Sequence, residues 1–314
     1  MNTVVVIPSK NEEKRIQTTI EEIFTVFQNR GLERPTILLT DDSTDNTRVI
    51  ARKVGANVIN GGGKGLGFAM YLGLKAALEF QPDIIVAYDA DGQCDPNEIP
   101  QFINMIQEDR ADLVLASRFV KPGLVQYDYP FLNRFGTIVL SKILSAFTGI
   151  NHTDSHGGIR AMKPEVVEEL EMLGTHTYVQ ETIIDAHEKG FRIIELPSAW
   201  LKRQHGKSRV VSSIPTYIFH TLPILILRSK QHLKWLYTLG ILFFLSSFIY
   251  FGFIFYQSGF NLPPLINRVP ALILVSLLVT TGIQFFFFGF ILQLLKVIKY
   301  RVDKAVFHSE RSQK

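Results

Sequence analysis

Two long stretches near the end of the chain carry no charged residue, and they restrict the possible folds more than any other feature. The first runs from Trp235 to Tyr256 and the second from Ala271 to Leu295. At about 22 and about 25 residues, each exceeds the length of roughly 20 residues that a helix needs to cross a bilayer. Aromatic residues stand at both ends of the first stretch, as is typical of a membrane interface. The sequence therefore predicts two transmembrane helices.

The basic residues around these stretches predict their orientation. The connecting segment 257–270 holds only Arg268, whereas both outer flanks are basic. The flanking residues are Arg228, Lys230 and Lys234 before the first stretch and Lys296, Lys299, Arg301 and Lys304 after the second. Because cytoplasmic flanks are enriched in Lys and Arg, we expect both ends of the chain to be cytoplasmic. The expected location is the plasma membrane of a prokaryote.

The overall charge and the cysteine content narrow the possible functions. The formal net charge is +4, and most of the late positive charge flanks the apolar stretches, which favours a membrane surface over nucleic acid. The single cysteine, Cys94, excludes an intramolecular disulfide. We interpret Cys94 as a bystander rather than a nucleophile. The N-terminus has no basic region before its short apolar run, so it is not expected to be a signal peptide.

The first 200 residues alternate between strand-like and helix-like patterns. Apolar runs at residues 3–7, 36–40 and 112–116 predict strands, and residues 190–201 predict a late one. Helical periodicity follows the first run, at Ile16, Ile20, Ile23 and Phe27, with Gly31 as the expected C-cap. This alternation predicts an α/β domain with a mostly parallel sheet covered by helices.

A further strand, residues 84–87, ends abruptly in Asp89, Asp91 and Gln93. Open α/β sheets bind ligands beyond the carboxyl ends of their strands. Side chains two residues apart point the same way along extended backbone, so Asp89 and Asp91 are candidates to share one divalent cation. Carboxylate oxygens suit Mg2+ or Mn2+. The alternative is an ordinary acidic turn, because Asp and Gly are common turn residues.

A glycine-rich loop at residues 61–67 opens a predicted helix that runs to about Phe80. Lys64 lies at the start of this helix, where it is a candidate phosphate ligand. The spacing of a Walker loop is missing, and a flexible turn before the helix is the alternative.

Two segments before the transmembrane stretches are candidates to meet the membrane. Residues 133–148 have a helical pattern with charge only at Arg134 and Lys142, which suits either a core helix or one in the headgroup layer. The second is a helix over residues 213–227, too short to span a bilayer upright. A basic loop, residues 202–209, precedes it and contains Arg203. The expected domains are residues 1–209, an interfacial segment 210–231, the transmembrane pair 232–300 and a basic tail 301–314.

Eight short motifs occur in an order that resembles the inverting family-2 glycosyltransferases. They are VIPSKNEE, TDDSTDNT, GKGLGFA, DADGQCDP, ASRF, NRFG, DSHGGIRAM and KRQHGKS, within roughly residues 1–210. The chain is most similar to the polyprenyl-phosphate branch, which includes dolichol-phosphate mannose synthases and has members with two C-terminal spans. The resemblance implies a GT-A type, Rossmann-like fold. It also implies transfer of a sugar from a UDP- or GDP-sugar to an undecaprenyl or dolichyl type of phosphate.

The resemblance assigns roles to individual residues. It implies Pro8, Glu12 and Asp41 at the nucleotide, and Asp89, Asp91 and Gln93 at the metal and diphosphate. It implies that three arginines hold the lipid phosphate: Arg118, Arg134 and Arg203. An acceptor phosphate is already mostly dianionic near pH 7, so the reaction needs cationic side chains to hold two anions together rather than a general base. Arginine forks suit this task.

The chain also departs from the family pattern, and other functions compete. Lys10, Thr40 and Asp42 stand where the family often has Tyr, Asp and Gly, which leaves the nucleotide base open. The motif around His156 replaces the commoner SGFR, so the role of this histidine is open. One alternative is a processive polysaccharide synthase, although those enzymes usually carry QxxRW and more spans. Another is an inactive membrane scaffold or nucleotide-sugar sensor. Small residues in the first span, such as Gly240 and Gly252, suit a homo-oligomer.

Overall fold

The computed structural model describes residues 1–172, 178–202, 232–262 and 267–312. The chain divides into two compact units, Met1–Leu225 and Ile226–Lys314. The predicted interfacial segment 210–231 and most of the basic loop, including Arg203, lie outside the described residues.

The N-terminal unit is built on one seven-stranded sheet, in the order β3-β2-β1-β4-β6-β5-β7. All pairs are parallel except the two that involve β6, which runs antiparallel to both β4 and β5. The strands are β1 (Thr3–Ser9), β2 (Thr36–Asp41), β3 (Asn57–Asn60), β4 (Ile84–Tyr88), β5 (Leu113–Ser117), β6 (Ile159–Met162) and β7 (Ile193–Pro197). The predicted α/β class with a mostly parallel sheet is confirmed.

Seven helices of this unit are α1 (Ile16–Asn29), α2 (Thr47–Lys53), α3 (Leu66–Ala77), α4 (Ile99–Gln107), α5 (Phe131–Thr148), α6 (Pro164–Glu169) and α7 (Val179–Glu188). They cover both faces of the sheet. Buried residues of α1, α2 and α4 pack into one hydrophobic core, and those of α3, α5, α6 and α7 pack into the other. Strands covered on both sides must be apolar throughout, which explains the uninterrupted burial of β1 and β4.

Helix α1 shows how the sequence pattern produces this packing. Its apolar residues at positions 16, 20, 23 and 27 are all fully buried, as their helical spacing predicts. Gly31 follows the helix with φ +65°, a conformation that favours glycine. The Leu32 N–H then donates to the carbonyl of Phe27 at 2.9 Å and closes the helix end. The predicted C-cap is therefore confirmed.

Strand β6 was not predicted, and its direction matters for the site. It pairs with β4 through Ile159 and Tyr88, so its first residue lies beside the last residue of β4. Because β6 is antiparallel, the segment that enters it arrives at the edge where β4 and β5 end. Residues 154–158 therefore join Asp89 and Arg118 at one edge of the sheet.

The C-terminal unit contains helices α8 (His232–Gln257) and α9 (Val269–Ser312). Residues 234–257 and 269–295 within them are apolar and long enough to cross a membrane, with mean hydropathy of 2.1 and 2.2. These ranges agree with the two predicted spans, and α9 continues through the predicted tail as helix.

The two apolar helices pack closely through glycines. A methyl group added to Gly240 would lie 3.3 Å from the carbonyl oxygen of Gly282 and 2.7 Å from the Phe286 ring. The Tyr237 hydroxyl donates to Gln293 at 3.1 Å, and Ser247 donates to the carbonyl of Val275 at 3.3 Å. Gly240 thus allows the two helices of one chain to approach closely, and the predicted homo-oligomer stays a prediction.

Candidate active site

Asp89 and Asp91 follow directly after β4, at the sheet edge where the sequence places them. Both side chains are half-buried. Gly92 turns the chain with φ +72°, and the backbone N–H of Gln93 donates to Asp91 Oδ1 at 3.0 Å. The turn therefore carries two carboxylates within three consecutive residues, 89–91.

Gly158 makes room for the first of these carboxylates. A methyl group at this position would lie 2.6 Å from Asp89 Oδ2, 2.6 Å from the Cys94 sulfur and 3.0 Å from the Trp200 ring. Real side-chain carbons do not approach so closely. The glycine at the start of β6 is thus required for Asp89 to lie where it does.

The carboxylates affect the ionisation of their buried neighbours. Burial raises the pKa of Cys94 well above its ordinary value, and the charges of Asp89 and Asp91 raise it further. A thiol that stays protonated is a poor nucleophile. This environment supports the interpretation of Cys94 as a bystander.

The carboxylate pair fits a cation that is shared with a substrate. Within the described part of the chain, no three His, Cys, Asp or Glu side chains form a cluster that could enclose a metal ion by themselves. Mg2+ is commonly held by one or two carboxylates together with substrate phosphates. Asp89 and Asp91, two half-buried carboxylates on one turn after β4, match such an open site.

Gln93 contacts another segment as well as its own turn. Its side-chain amide donates to the carbonyl of Leu201 at 3.2 Å and lies 3.4 Å from the Tyr127 hydroxyl. The Leu201 N–H donates in return to the backbone carbonyl of Gln93 at 2.8 Å. Gln93 thus joins the acidic turn to residues 200–201, and its role toward a metal stays a prediction.

The predicted nucleotide residues lie at the ends of β1 and β2. Pro8 is buried and pairs with Thr40 in the sheet. The fully buried Asp41 accepts hydrogen bonds from the hydroxyls of Ser9 and Ser43, each at 2.6 Å, and from Arg48 Nε at 3.2 Å. These bonds hold Asp41 in one orientation.

Glu12 begins the turn that leads into α1. Its backbone N–H donates to the Thr47 hydroxyl at 2.9 Å, and its carbonyl accepts from Arg15 and Ile16, both at 2.9 Å. The structure therefore brings Pro8, Glu12 and Asp41 to neighbouring strand ends. Their contact with a nucleotide stays a prediction.

The glycine loop is fixed to the end of β2 by Asp42. Its Oδ1 accepts the backbone N–H of Gly63 at 2.9 Å, and a methyl group on Gly61 would lie 2.8 Å from the same carboxyl. Lys64 places its ammonium 4.7 Å from the centre of the Phe68 ring. Asp42, which stands where the family often has Gly, therefore shapes the loop that carries Lys64.

Arg118 follows β5 and is almost fully buried, with 4% of its surface exposed. Its Nε donates to Asp154 Oδ2 at 2.6 Å and Nη2 donates to Oδ1 at 2.8 Å. Burial lowers the pKa of Arg118, but Asp154 more than offsets this and leaves the pKa raised. The same pair holds the pKa of Asp154 below its ordinary value, although burial alone would raise it.

Aromatic rings surround the Arg118 guanidinium. Its central carbon lies 4.7 Å from the Trp200 ring centre, 5.2 Å from Phe119 and 5.5 Å from Tyr129. Such contacts further restrict an arginine that already donates to Asp154 through Nε and Nη2, and to the Tyr129 hydroxyl through Nη1 at 3.4 Å. Arg118 is therefore rigidly placed, and its contact with a lipid phosphate stays a prediction.

Arg134 lies near this cluster from a different element. It is exposed on α5, with its guanidinium carbon 5.9 Å from the Phe119 ring centre. Arg203 lies outside the described residues, but its neighbour Lys202 is described and exposed. The structure therefore brings Arg118 and Arg134 to the same aromatic ring, that of Phe119.

His156 was left without a role by the sequence. Its Nδ1 lies 2.9 Å from the Ser155 hydroxyl and its Nε2 lies 3.3 Å from the side-chain nitrogen of Gln180. Burial, with a further contribution from the Arg118 charge, lowers the pKa of His156 to about 4. The ring is therefore neutral at physiological pH and adds no charge beside the arginine.

Sequence reasoning missed Asp154 and Trp200, which both position Arg118. Asp154 belongs to the DSHGGIRAM motif, which contains both an acidic residue and an arginine. That acidic residue could have been considered as a partner for Arg118. No sequence pattern marks Trp200 as a site residue, because only the fold brings it close to both Arg118 and Gly158.

Comparison with known proteins agrees with this geometry. Residues 4–171 match the family model described as glycosyl transferase family 2. The UDP-N-acetylglucosamine–dolichyl-phosphate N-acetylglucosaminyltransferase of Methanococcus voltae is 30% identical over 232 residues, which cover 65% of this chain and 88% of that protein. The dolichol-phosphate mannosyltransferase of Pyrococcus furiosus is 31% identical over 223 residues, covering 67% and 59%.

A solved structure shows the same fold. Glucosyl-3-phosphoglycerate synthase from Mycobacterium tuberculosis, solved with Mn2+, uridine diphosphate and phosphoglyceric acid, aligns with a TM-score of 0.55 at 19% identity. The alignment covers 73% of this chain and 78% of that one. With the family model, the relatives and the fold in agreement, the chain belongs to glycosyl transferase family 2 and is a glycosyltransferase.

Proposed function

We propose that this chain is a membrane-anchored inverting transferase that moves a sugar from a UDP- or GDP-sugar to a polyprenyl phosphate. One observation carries the proposal. Asp89 and the Trp200 ring both lie against Gly158, and the Arg118 guanidinium carbon lies 4.7 Å from the centre of the same Trp200 ring. An anionic pair for a metal diphosphate and a cationic group for a second phosphate therefore occur at one sheet edge.

The two halves of this site have separate tasks. Asp89 and Asp91 would hold Mg2+ or Mn2+, which supplies positive charge to stabilise the departing diphosphate. Arg118 and Arg134, with Arg203, would draw the acceptor phosphate toward the sugar. Two anions repel each other, so positive charge close to both is what brings the reactants together.

No general base is required in this arrangement. A phosphate monoester has a second pKa of about 6 and is mostly a dianion near pH 7. Its oxygen can attack the anomeric carbon without losing a proton. The displaced diphosphate leaves with the electron pair of the broken carbon–oxygen bond, and attack from the opposite side inverts the configuration.

The lipid acceptor fits the apolar surfaces of the chain. Helices α8 and α9 contain the two candidate spans. Helix α5, which carries Arg134, exposes a stripe of apolar side chains at helical spacing: Phe131, Leu132, Phe135, Ile138 and Val139. We propose that this stripe lies in the headgroup layer at the cytoplasmic face, where Arg134 can meet a lipid phosphate.

Two residues at the end of β2 depart from the family pattern, and the choice between a UDP- and a GDP-sugar stays open. Thr40 stands where the family often has Asp, and Asp42 stands where it often has Gly. Both polar side chains lie beside the buried Asp41. The named substrates of the two relatives include a UDP-sugar and dolichyl phosphates, which supports a nucleotide-sugar donor and a polyprenyl phosphate acceptor here.

One experiment identifies donor and acceptor together. Nanodiscs containing the full-length protein, a polyprenyl phosphate and Mg2+ or Mn2+ are incubated with a panel of nucleotide sugars, and the extracted lipids are analysed by mass spectrometry. A glycosylated polyprenyl phosphate from one nucleotide sugar is expected. If sugar appears only in a polymer or only on a water-soluble acceptor, the proposed acceptor is wrong.

A further inference from the structure

A short segment after β7 connects the acidic turn to the basic loop. Residues 198–201, called the strap below, begin directly after Pro197 and end before Lys202. The Ser198 N–H donates to the carbonyl of Ser117 at 3.0 Å, and the Trp200 N–H donates to that of Leu124 at 2.8 Å. These bonds fix one side of the strap to β5 and to the segment that follows Arg118.

The other side of the strap is fixed by Glu98. Its Oε1 accepts the backbone N–H of Ala199 at 2.8 Å, and its Oε2 accepts the Ser198 hydroxyl at 2.5 Å. Both carboxylate oxygens thus accept hydrogen bonds from neighbouring residues of the strap. Hydrogen bonds that involve an ionised partner are shorter and stronger than neutral ones, so this contact is well suited to hold backbone in place.

Glu98 is rigidly connected to the acidic turn. It ends a short 3-10 helix, Pro96–Glu98, whose first residue is a proline and whose start is capped by the side chain of Asp95. At the other end of the same segment, Gln93 bonds to Leu201 through both its backbone and its side chain. The segment that follows Asp91 therefore hydrogen-bonds to both ends of the strap, through Glu98 at the first end and Gln93 at the last.

Burial of Glu98 disfavours the charged form of its carboxylate, which a carboxylate on the surface would not experience. Glu98 is half-buried, and burial raises its pKa, which the hydrogen bonds from Ala199 and Ser198 partly offset. Its bonds to Ser198 and Ala199 point to the strap as the element that it serves.

We infer that Glu98 is a positioning residue that fixes the strap, and with it the Trp200 ring that packs on Arg118, relative to the acidic turn. This inference rests on the proposed function, in which Arg118 helps to bind the acceptor phosphate. Glu98 touches no substrate in this account. Loss of its carboxylate is expected to weaken use of the acceptor and to leave the donor site, fixed by Asp41 and Asp89, unchanged.

The first test compares Glu98→Ala with Glu98→Gln in steady-state kinetics. The Ala variant is expected to raise the KM for polyprenyl phosphate about tenfold while the KM for the nucleotide sugar stays within about twofold. The Gln variant is expected to restore the acceptor KM, because an amide oxygen can accept from Ala199 and its NH2 can donate to the Ser198 hydroxyl. Equal increases in both KM values would contradict the inference.

The matched control is Glu33→Gln. Glu33 is an exposed glutamate whose carboxylate pairs with the N-terminus at 2.7 Å, and it lies outside the site. Its kinetics are expected to match those of the unchanged enzyme. Ser198→Ala, combined with Glu98→Ala, is expected to cost no more than the Glu98 change alone, because both remove the same contact. Additive losses would contradict a shared contact.

A second measurement separates this inference from the proposed function. Hydrogen exchange of full-length protein in nanodiscs is expected to show faster exchange at Ala199 and Leu201 in Glu98→Ala, and unchanged exchange in β1 and β4. Unchanged exchange in the strap would overturn the positioning role whatever the substrate proves to be. If the unaltered enzyme ignores polyprenyl phosphate, the proposed function fails and the exchange result still decides the role of Glu98.

Discussion

Arg118 and Asp154 form a two-bonded ion pair in which both side chains are withdrawn from solvent, with 4% and 0% exposure. The carboxylate also accepts the backbone N–H groups of Arg118 and His156, each at 2.9 Å. The ends of β5 and of the segment entering β6 are thereby joined. This pair fixes the position of Arg118, the residue predicted to meet the acceptor phosphate.

Removal of Asp154 should therefore destabilise the protein. Asp154→Ala leaves a buried guanidinium without its partner, and breaking such a pair costs about 3 to 5 kcal/mol. We expect a marked fall in the midpoint of thermal unfolding. The control is Arg110→Met, which removes an exposed pair with Glu108 at 3.6 Å and should change stability by about 0 to 1 kcal/mol. Equal effects of the two changes would contradict the structural importance of the buried pair.

Gly158→Ala should damage metal use more than folding. The added methyl would lie 2.6 Å from Asp89 Oδ2, so the carboxylate must move. We expect the Mn2+ concentration for half-maximal activity to rise about tenfold or more. Gly252→Ala provides the comparison, because no atom lies within 4 Å of its added methyl. An unchanged Mn2+ requirement in Gly158→Ala would show that Asp89 does not depend on this glycine.

The lowered pKa of His156 gives a pH dependence of stability. Its ordinary pKa is 6.5 and its pKa in the folded protein is about 4. Between these values the unfolded chain binds a proton that the folded chain does not, so stability should fall as the pH drops from about 6.5 to about 4. Above pH 6.5 the contribution is constant. Thermal midpoints at pH 7.5 and 5.0 should differ more for the unaltered protein than for His156→Asn, and parallel shifts would refute this assignment.

The apolar stripe of α5 should serve the acceptor and not the fold. Phe131 and Phe135 are 77% and 59% exposed, so changing both to Ser should leave the unfolding midpoint nearly unchanged. The KM for polyprenyl phosphate in nanodiscs should rise several-fold, because less apolar area enters the headgroup layer. Val49→Ser, at a 52% exposed position on α2, should alter neither quantity. A normal acceptor KM in the double variant would place α5 away from the lipid.

Much of the fold could be predicted because strands β1, β2, β4 and β5 contain apolar runs. The run at residues 84–88 is buried at every position, and the acidic turn follows it as predicted. Strand β3 escaped prediction because it is a four-residue edge strand with exposed ends. Strand β6 escaped because Arg160 interrupts its apolar run, although that arginine is buried and donates to the carbonyl of Val179.

The residues of the candidate site also include some that the sequence could predict and some that it could not. Asp89 and Asp91 could be found because they lie just after a predicted strand, and Arg118 because it belongs to a motif of the resembled family. The partner of Arg118 could not, because Asp154 lies 36 residues later and meets it only through the antiparallel course of β6. The strap contacts of Glu98 span about 100 residues of sequence. Such pairs depend on the order of strands in the sheet, which local patterns do not specify.

The most direct test of the two-anion site is transfer by Asp91→Ala. Full-length protein in nanodiscs is given a radiolabelled nucleotide sugar, polyprenyl phosphate and Mg2+ or Mn2+, and labelled lipid is counted. Glu165→Gln, an exposed position on α6, is the control and should retain normal transfer. We predict that Asp91→Ala abolishes labelled lipid because the departing diphosphate loses its cation. Undiminished labelled lipid from Asp91→Ala would contradict the account.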